Sequence, residues 1–200
     1  MAVTRGSGGK RPGSGAGRSR PDFTPSKNKK MFLKLDCMAG RVKIVGHESG
    51  ELFSRTAVFN ADLENIKTGW LDFNANAESS IVGDDRENPP PGAGERDGPK
   101  WGIELPVAMP YPTRFDDIDI KKVDPCLIKS NTGLLLEAVA TLWDAYDEAK
   151  HKDGDVAVVE VAGWEPVTKS GGKKYFRPRL KLIGFVGGLE EAFEGVGDDD

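Results

Sequence analysis

Only one stretch of this 200-residue chain repeats its apolar residues at helical spacing. Leu135, Val139, Leu142, Trp143, Tyr146 and Ala149 recur at intervals of three and four, which gathers them on one side of a helix. Trp143 is read with this set as core. Glu137, Asp144, Asp147, Glu148 and Lys150 supply the wet side. Ser130, Asn131 or Thr132 can cap the start, and Gly154 ends the run. The other periodic segments alternate at two residues instead. The chain is therefore expected to be mainly β with one helix.

Met31, Leu33, Leu35 and Cys37 alternate with Phe32, Lys34, Asp36 and Met38, the signature of a strand. Gly40 can bend it, and Val42–Val45 continue extended. Residues 52–59 stay untyped, between a turn and a short helix. Asn65–Asn74 reads as a second strand, with Leu71 and Phe73 as core. Ala75–Lys100, which includes Pro89-Pro90-Pro91, is a loop long enough to be either functional or disordered. Trp101–Met109 alternates again, with Trp101, Ile103 and Leu105 on the core side, and Pro106 demotes it toward an edge or a bulge. After the helix come a strand at Val156–Trp164, a Gly-Gly turn at Lys169–Lys173 and a partner strand at Tyr175–Val186. No internal repeat is present. This order, β-β-β-α-β-β, is that of the five-stranded Greek-key barrel called the OB-fold, though other α+β folds share the count.

Charge divides the chain into three. Residues 1–30 hold eight Lys/Arg and one acid in a Gly/Ser/Pro-rich context, and are expected to form a disordered basic arm. Residues 190–200 carry six acids and no base, an acidic tail that repels itself and stays solvated. Residues 31–189 remain as one domain. Its acidity lies mostly in residues 78–98, where six acids face Arg86 and Arg96, so the rest is nearly neutral. A strongly basic global field is absent, so any nucleic-acid contact has to come from local patches.

Cys37 and Cys126 lie far apart and outside any CxxC or Cys/His spacing, which argues against a disulfide framework or structural zinc and for a cytoplasmic protein. No apolar run approaches the roughly 18 residues of a membrane span. The N-terminus lacks the apolar region of a secretory signal. Its Arg/Ser content also fits a transit peptide, but six glycines among residues 6–17 favour a flexible arm.

Enzymatic constellations are missing. His47 and His151 have no Ser or Cys motif nearby, there is no G-x-S-x-G, and neither Gly8-Gly9-Lys10 nor Gly171-Gly172-Lys173 has P-loop spacing. Asp116, Asp117, Asp119 and Asp124 lack the glycine and closing Glu of an EF-hand and read as a solvated loop. No catalytic residue, metal or cofactor is assigned.

The informative stretch is the last strand. Tyr175, Arg177, Arg179 and Lys181 are spaced by two and share one side, while Phe176, Leu180 and Leu182 take the core side. Lys169, Lys173 and Lys174 extend the positive stripe. A ring beside a track of cations suits a single strand of nucleic acid, though Lys/Arg stems covering a solvated face give the same pattern. Trp70 and Trp164 are stacking candidates, with barrel capping and a lid as their alternatives. Arg41 and Lys43 share parity and can extend the track.

On these features residues 31–200 resemble single-stranded DNA-binding proteins of bacteriophage and bacterial type. The carrying residues are the strand order, the aromatic and basic final hairpin, GWLDF at Gly69–Phe73, GWEPV at Gly163–Val167 and the acidic tail from Glu190. The resemblance implies a cytoplasmic protein of replication, recombination or repair, in host cytoplasm if phage-encoded. It implies that Glu190, Glu191, Phe193, Glu194, Asp198, Asp199 and Asp200 dock on partner enzymes and compete with DNA for the groove. Tails of that kind commonly end in a bulky apolar residue, whereas here Phe193 precedes the final acids and Asp200 is last. A non-enzymatic interaction module and an RNA-binding protein are the alternatives. A homo-oligomer is left open.

Overall fold

The structure is a computed structural model that describes residues 31–73 and 80–194. The chain begins with an antiparallel meander, β1 (Phe32–Asp36), β2 (Arg41–His47) and β3 (Gly50–Ser54). Alternation works here as expected: Leu33, Leu35, Val42 and Ile44 are buried while Phe32 and Lys34 are exposed.

The next elements are β4 (Val58–Ala61), β5 (Lys67–Leu71), β6 (Ile81–Gly83), β7 (Lys100–Met109), β8 (Thr113–Phe115), β9 (Ile118–Ile120) and β10 (Val123–Ser130). Then follow α1 (Gly133–Glu148), β11 (Val156–Thr168) and β12 (Lys174–Val186). Strands β8 and β9 form a small hairpin, and the remaining seven make one antiparallel sheet in the order β12-β11-β4-β7-β5-β6, with β10 also paired to β7.

Strand β7 is the spine of that sheet. β10 runs along one of its sides, while β5 and β4 share the other, pairing through Glu104 and from Val107 respectively. Pro106 falls in the gap between them. Its carbonyl accepts from Asp62 N–H at 3.0 Å on that side, so the missing proline N–H faces a break in the ladder and β7 is central, not an edge. Strands β11, β4, β7 and β10 stand side by side in that order. The fourth strand has returned through α1 to lie beside the first, which is a Greek key.

The five-stranded closed barrel expected from the sequence is not what forms. Twelve strands lie in three sheets among the described residues, and no ladder joins β10 to β12. The meander occupies that opening: β1 runs beside β10, and Phe176 N–H on β12 donates to Cys37 O at 2.7 Å. Residues 31–45 therefore belong to the meander, not to the Greek key. Part of the 75–100 loop is ordered, because β6 pairs with β5.

Among the described residues the larger apolar core joins both large sheets and α1, through Leu35, Ile44, Phe59, Leu105, Leu135 and Val159 among others, and a smaller one gathers Tyr111, Val156, Val158 and Val186. Three aromatic expectations need correcting. Trp143 is 39% exposed: Leu135, Val139, Leu142 and Tyr146 fill the core stripe, and Trp143 is left at its rim, 6.0 Å from the Tyr146 ring. Phe73 is 51% exposed, two residues past the end of β5. Trp101 is half-buried and meets Trp70 edge-on at 5.6 Å. Among the described residues no helix is long and apolar enough to cross a membrane.

Candidate nucleic-acid interface

The β11–β12 hairpin is closed by Gly171 and Gly172, whose φ values of 89° and 75° need glycine, with Lys169 N–H donating to Lys173 O at 3.0 Å. Lower down, the register slips between Val161 and Gly163, and a bulge bends β11. There Trp164 leans toward the connection between β3 and β4, and its Nε1–H donates to Arg55 O at 2.9 Å. Phe176 reaches the β1–β2 turn. Its ring lies on Gly40, whose φ is 64° and where an added Cβ would sit 2.7 Å from ring Cγ.

These contacts enclose a cavity of about 200 Å³ lined by Gly40, Arg55, Thr56, Gly163, Trp164 and Phe176. Arg55 is exposed beside it. Arg179 is exposed too, with its guanidinium 3.9 Å from where a Cβ on Gly163 would lie. Neither arginine has an ion-pair partner among the described residues. The site thus offers two aromatic side chains and two available guanidinium groups around one recess.

The stripe expected along β12 divides. Arg177 is neutralised by Glu137 of α1 at 2.7 Å and Glu165 at 3.6 Å. Tyr175 packs on the core, with Lys169 Nζ 5.4 Å above its ring. Arg179 and Lys181 remain open, as do Lys173 and Lys174 near the hairpin tip. Arg41 adjoins Gly40, but its guanidinium lies 3.5 Å over the Phe53 ring and its Nε is 3.6 Å from Asp36. Lys43 pairs with Glu51 at 2.5 Å. Trp70 is not brought to this place: its Nε1–H donates to Asp85 O at 2.9 Å, at the β5–β6 end of the sheet.

Arg55 and Phe176 escaped the sequence reading. Arg55 lies in residues 52–59, whose pattern fits a turn as well as a short helix, and strand parity alone assigns Phe176 to the core. Gly163 inside a β-branched run was the available signal, since an isolated strand glycine marks a bulge or a close approach.

The tail is attached at its root. The buried amide of Asn60 donates through Nδ2 to Leu189 O and Glu191 O, each at 2.8 Å, and its Oδ1 accepts from Tyr111 O–H at 3.0 Å. The same Tyr111 oxygen accepts from Phe193 N–H at 3.0 Å, and the Phe193 ring covers Gly184. Glu191 bonds Gly187 N–H through Oε2 at 3.0 Å. Glu190 and Glu194 are exposed, while Asp198, Asp199 and Asp200 lie outside the described residues.

Other chemistry has quiet surroundings. Burial pushes the Cys37 thiol up to about 11 and raises Cys126 too, which keeps both protonated near neutrality. Asp116 Oδ2 accepts from Phe53 N–H at 3.0 Å, Asp117 pairs with Arg114, and Asp124 pairs with Lys122. Among the described residues no three His, Cys, Asp or Glu side chains converge as a metal site. No protein-family model, curated protein or solved structure matches the chain.

Proposed function

We propose that the protein binds single-stranded DNA without strong sequence preference, in phage or bacterial replication, recombination or repair. The recess between Trp164 and Phe176, with Arg55 and Arg179 beside it, carries the reading. Bases of any identity stack on aromatic faces, and guanidinium groups meet phosphates, so this pairing of groups suits a strand and asks little of its sequence. The Greek key supports it: with β12 alongside β11, the strands β12-β11-β4-β7-β10 make a partly open five-stranded unit of OB-like order. The acidic end beyond Glu194 acts as an electrostatic competitor for the same cations.

Titration of the full-length protein with oligo-dT at low salt tests this. The expected result is micromolar or tighter binding, quenched tryptophan emission and steep weakening with added salt. Unchanged emission with no mobility shift would remove the proposal. Duplex DNA and oligo-U in the same panel decide between strand types, and equal or tighter oligo-U binding would move the reading to RNA.

A further inference from the structure

We infer that a bound single strand does not stop at the Trp164–Phe176 recess but crosses the β1–β2 turn into a second cavity on its far side. This rests on the single-strand reading above and adds a second base subsite with its own residues.

The turn at residues 37–40 is the wall between the two spaces. Ala39 and Gly40 line the first, whereas Cys37 and Met38 line the second, a cavity of about 210 Å³ where β1 and β10 end. Leu35 and Ile128 contribute apolar lining, and Phe73 and Lys34 also border the space. Met38, 73% exposed, is on the turn itself, and Phe73 is 51% exposed. Two large apolar side chains thus stay in water around one cavity, close to an available cation. Lys129 is spoken for, since its Nζ donates to Ser80 Oγ at 2.8 Å and lies 3.6 Å from Glu104. Lys34 is exposed and has no ion pair with a described residue.

The chemistry repeats that of the first recess: a ring for a base and a cation for a phosphate, with a thioether that packs against either neighbour. A chain of bases on a charged backbone matches two such spaces separated by one tight turn. The strand would step over Ala39 and Met38, with Arg179 and Arg55 holding phosphates on one side and Lys34 on the other.

The test uses the full-length protein, a labelled oligo-dT of about twelve nucleotides and one of about four, within the range a single such domain covers. Phe73→Ala is expected to weaken the longer oligomer about 5- to 150-fold, as loss of one base stack does, and to leave the shorter one unchanged. Lys34→Glu should weaken the longer oligomer and lower the slope of its log affinity against log salt by about one. Trp164→Ala should weaken both oligomers. Wild-type binding of the short oligomer by the Phe73 and Lys34 variants shows that each is folded. If both variants bind the longer oligomer as wild type does, or weaken both oligomers equally while their circular dichroism and urea midpoints stay those of wild type, the second subsite is overturned. If the wild-type protein binds neither oligomer, the functional reading fails and takes the subsite with it.

Discussion

Arg177 and Arg179 are separated by one residue on β12 and meet different surroundings. Arg177 is held by carboxylates from α1 and β11, whereas Arg179 stands over the bulge at Gly163 with its charge available. Phosphate contacts act through released counterions, so the two should respond differently to salt. Arg179→Gln is expected to weaken oligo-dT binding at every sequence and to reduce the salt slope by about one. Arg177→Gln should leave affinity within about twofold and cost no more than about 1 kcal/mol per lost surface pair. Salt-dependent titration and urea unfolding of both variants check this. Strand parity alone made the two arginines equivalent. Their difference comes from Glu137, brought over by α1, and from a bulge that period-2 counting does not place.

At the scale of elements, the helix and the last hairpin are legible because one has helical apolar spacing and the other a Gly-Gly turn, and Gly171-Gly172 does turn the hairpin. The ends of the helix are less so: Thr132 stands at the N-cap of α1 without a side-chain capping bond, and the helix stops at Glu148 with Ala149 as its C-cap, not at Gly154. Residues 123–130 form β10 although Val123-Asp124-Pro125-Cys126 lacks alternation. Its pairing with β7 skips register between Val123 and Cys126, so only the neighbouring strand reveals it. Residues 52–59 were hidden for a related reason, being split between β3 and β4 in two different sheets. The C-terminal turn of α1 also has a measurable chemistry. Tyr146 is buried and donates to Glu64 Oε1 at 3.3 Å and Asp155 O at 3.2 Å. Burial first, and then the Glu64 charge, push its phenol from 10.0 up to about 12. Between those values the folded chain keeps a proton that the unfolded chain has lost. Stability from this group is therefore complete below about pH 10 and falls as pH rises through about 12. Tyr146→Phe should flatten that alkaline fall, as read by urea midpoints across the range.

For the whole molecule, the attached tail root sets how far the acidic end can act. Asp198, Asp199 and Asp200 lie four to six residues past Glu194, a span of about 20 Å at most. Phe193 covers Gly184, and Arg179 is five residues back along β12, about 17 Å away. Lys173 is eleven residues back, about 37 Å, and beyond reach. Deleting residues 195–200 is expected to tighten oligo-dT binding at low salt, and Arg179→Gln should abolish most of that gain. Equal gains in both backgrounds would place the competition elsewhere. Deletion from residue 190 would be a poorer test, because it also removes partners of Asn60 and Tyr111.

That attachment has a consequence for how the chain tolerates change. Asn60 and Tyr111 grip carbonyls and an N–H, so the clasp reads the path of the main chain and is blind to most of the lettering it holds. Glu190 and Ala192 can be rewritten freely, whereas Asn60→Ala strands two acceptors and a hydroxyl at once. In a saturation library scored for folding, positions 60 and 111 should stand as narrow columns beside broad ones at 190 and 192. The path of the main chain at residues 189–191 would then be guarded from position 60, more than a hundred residues away.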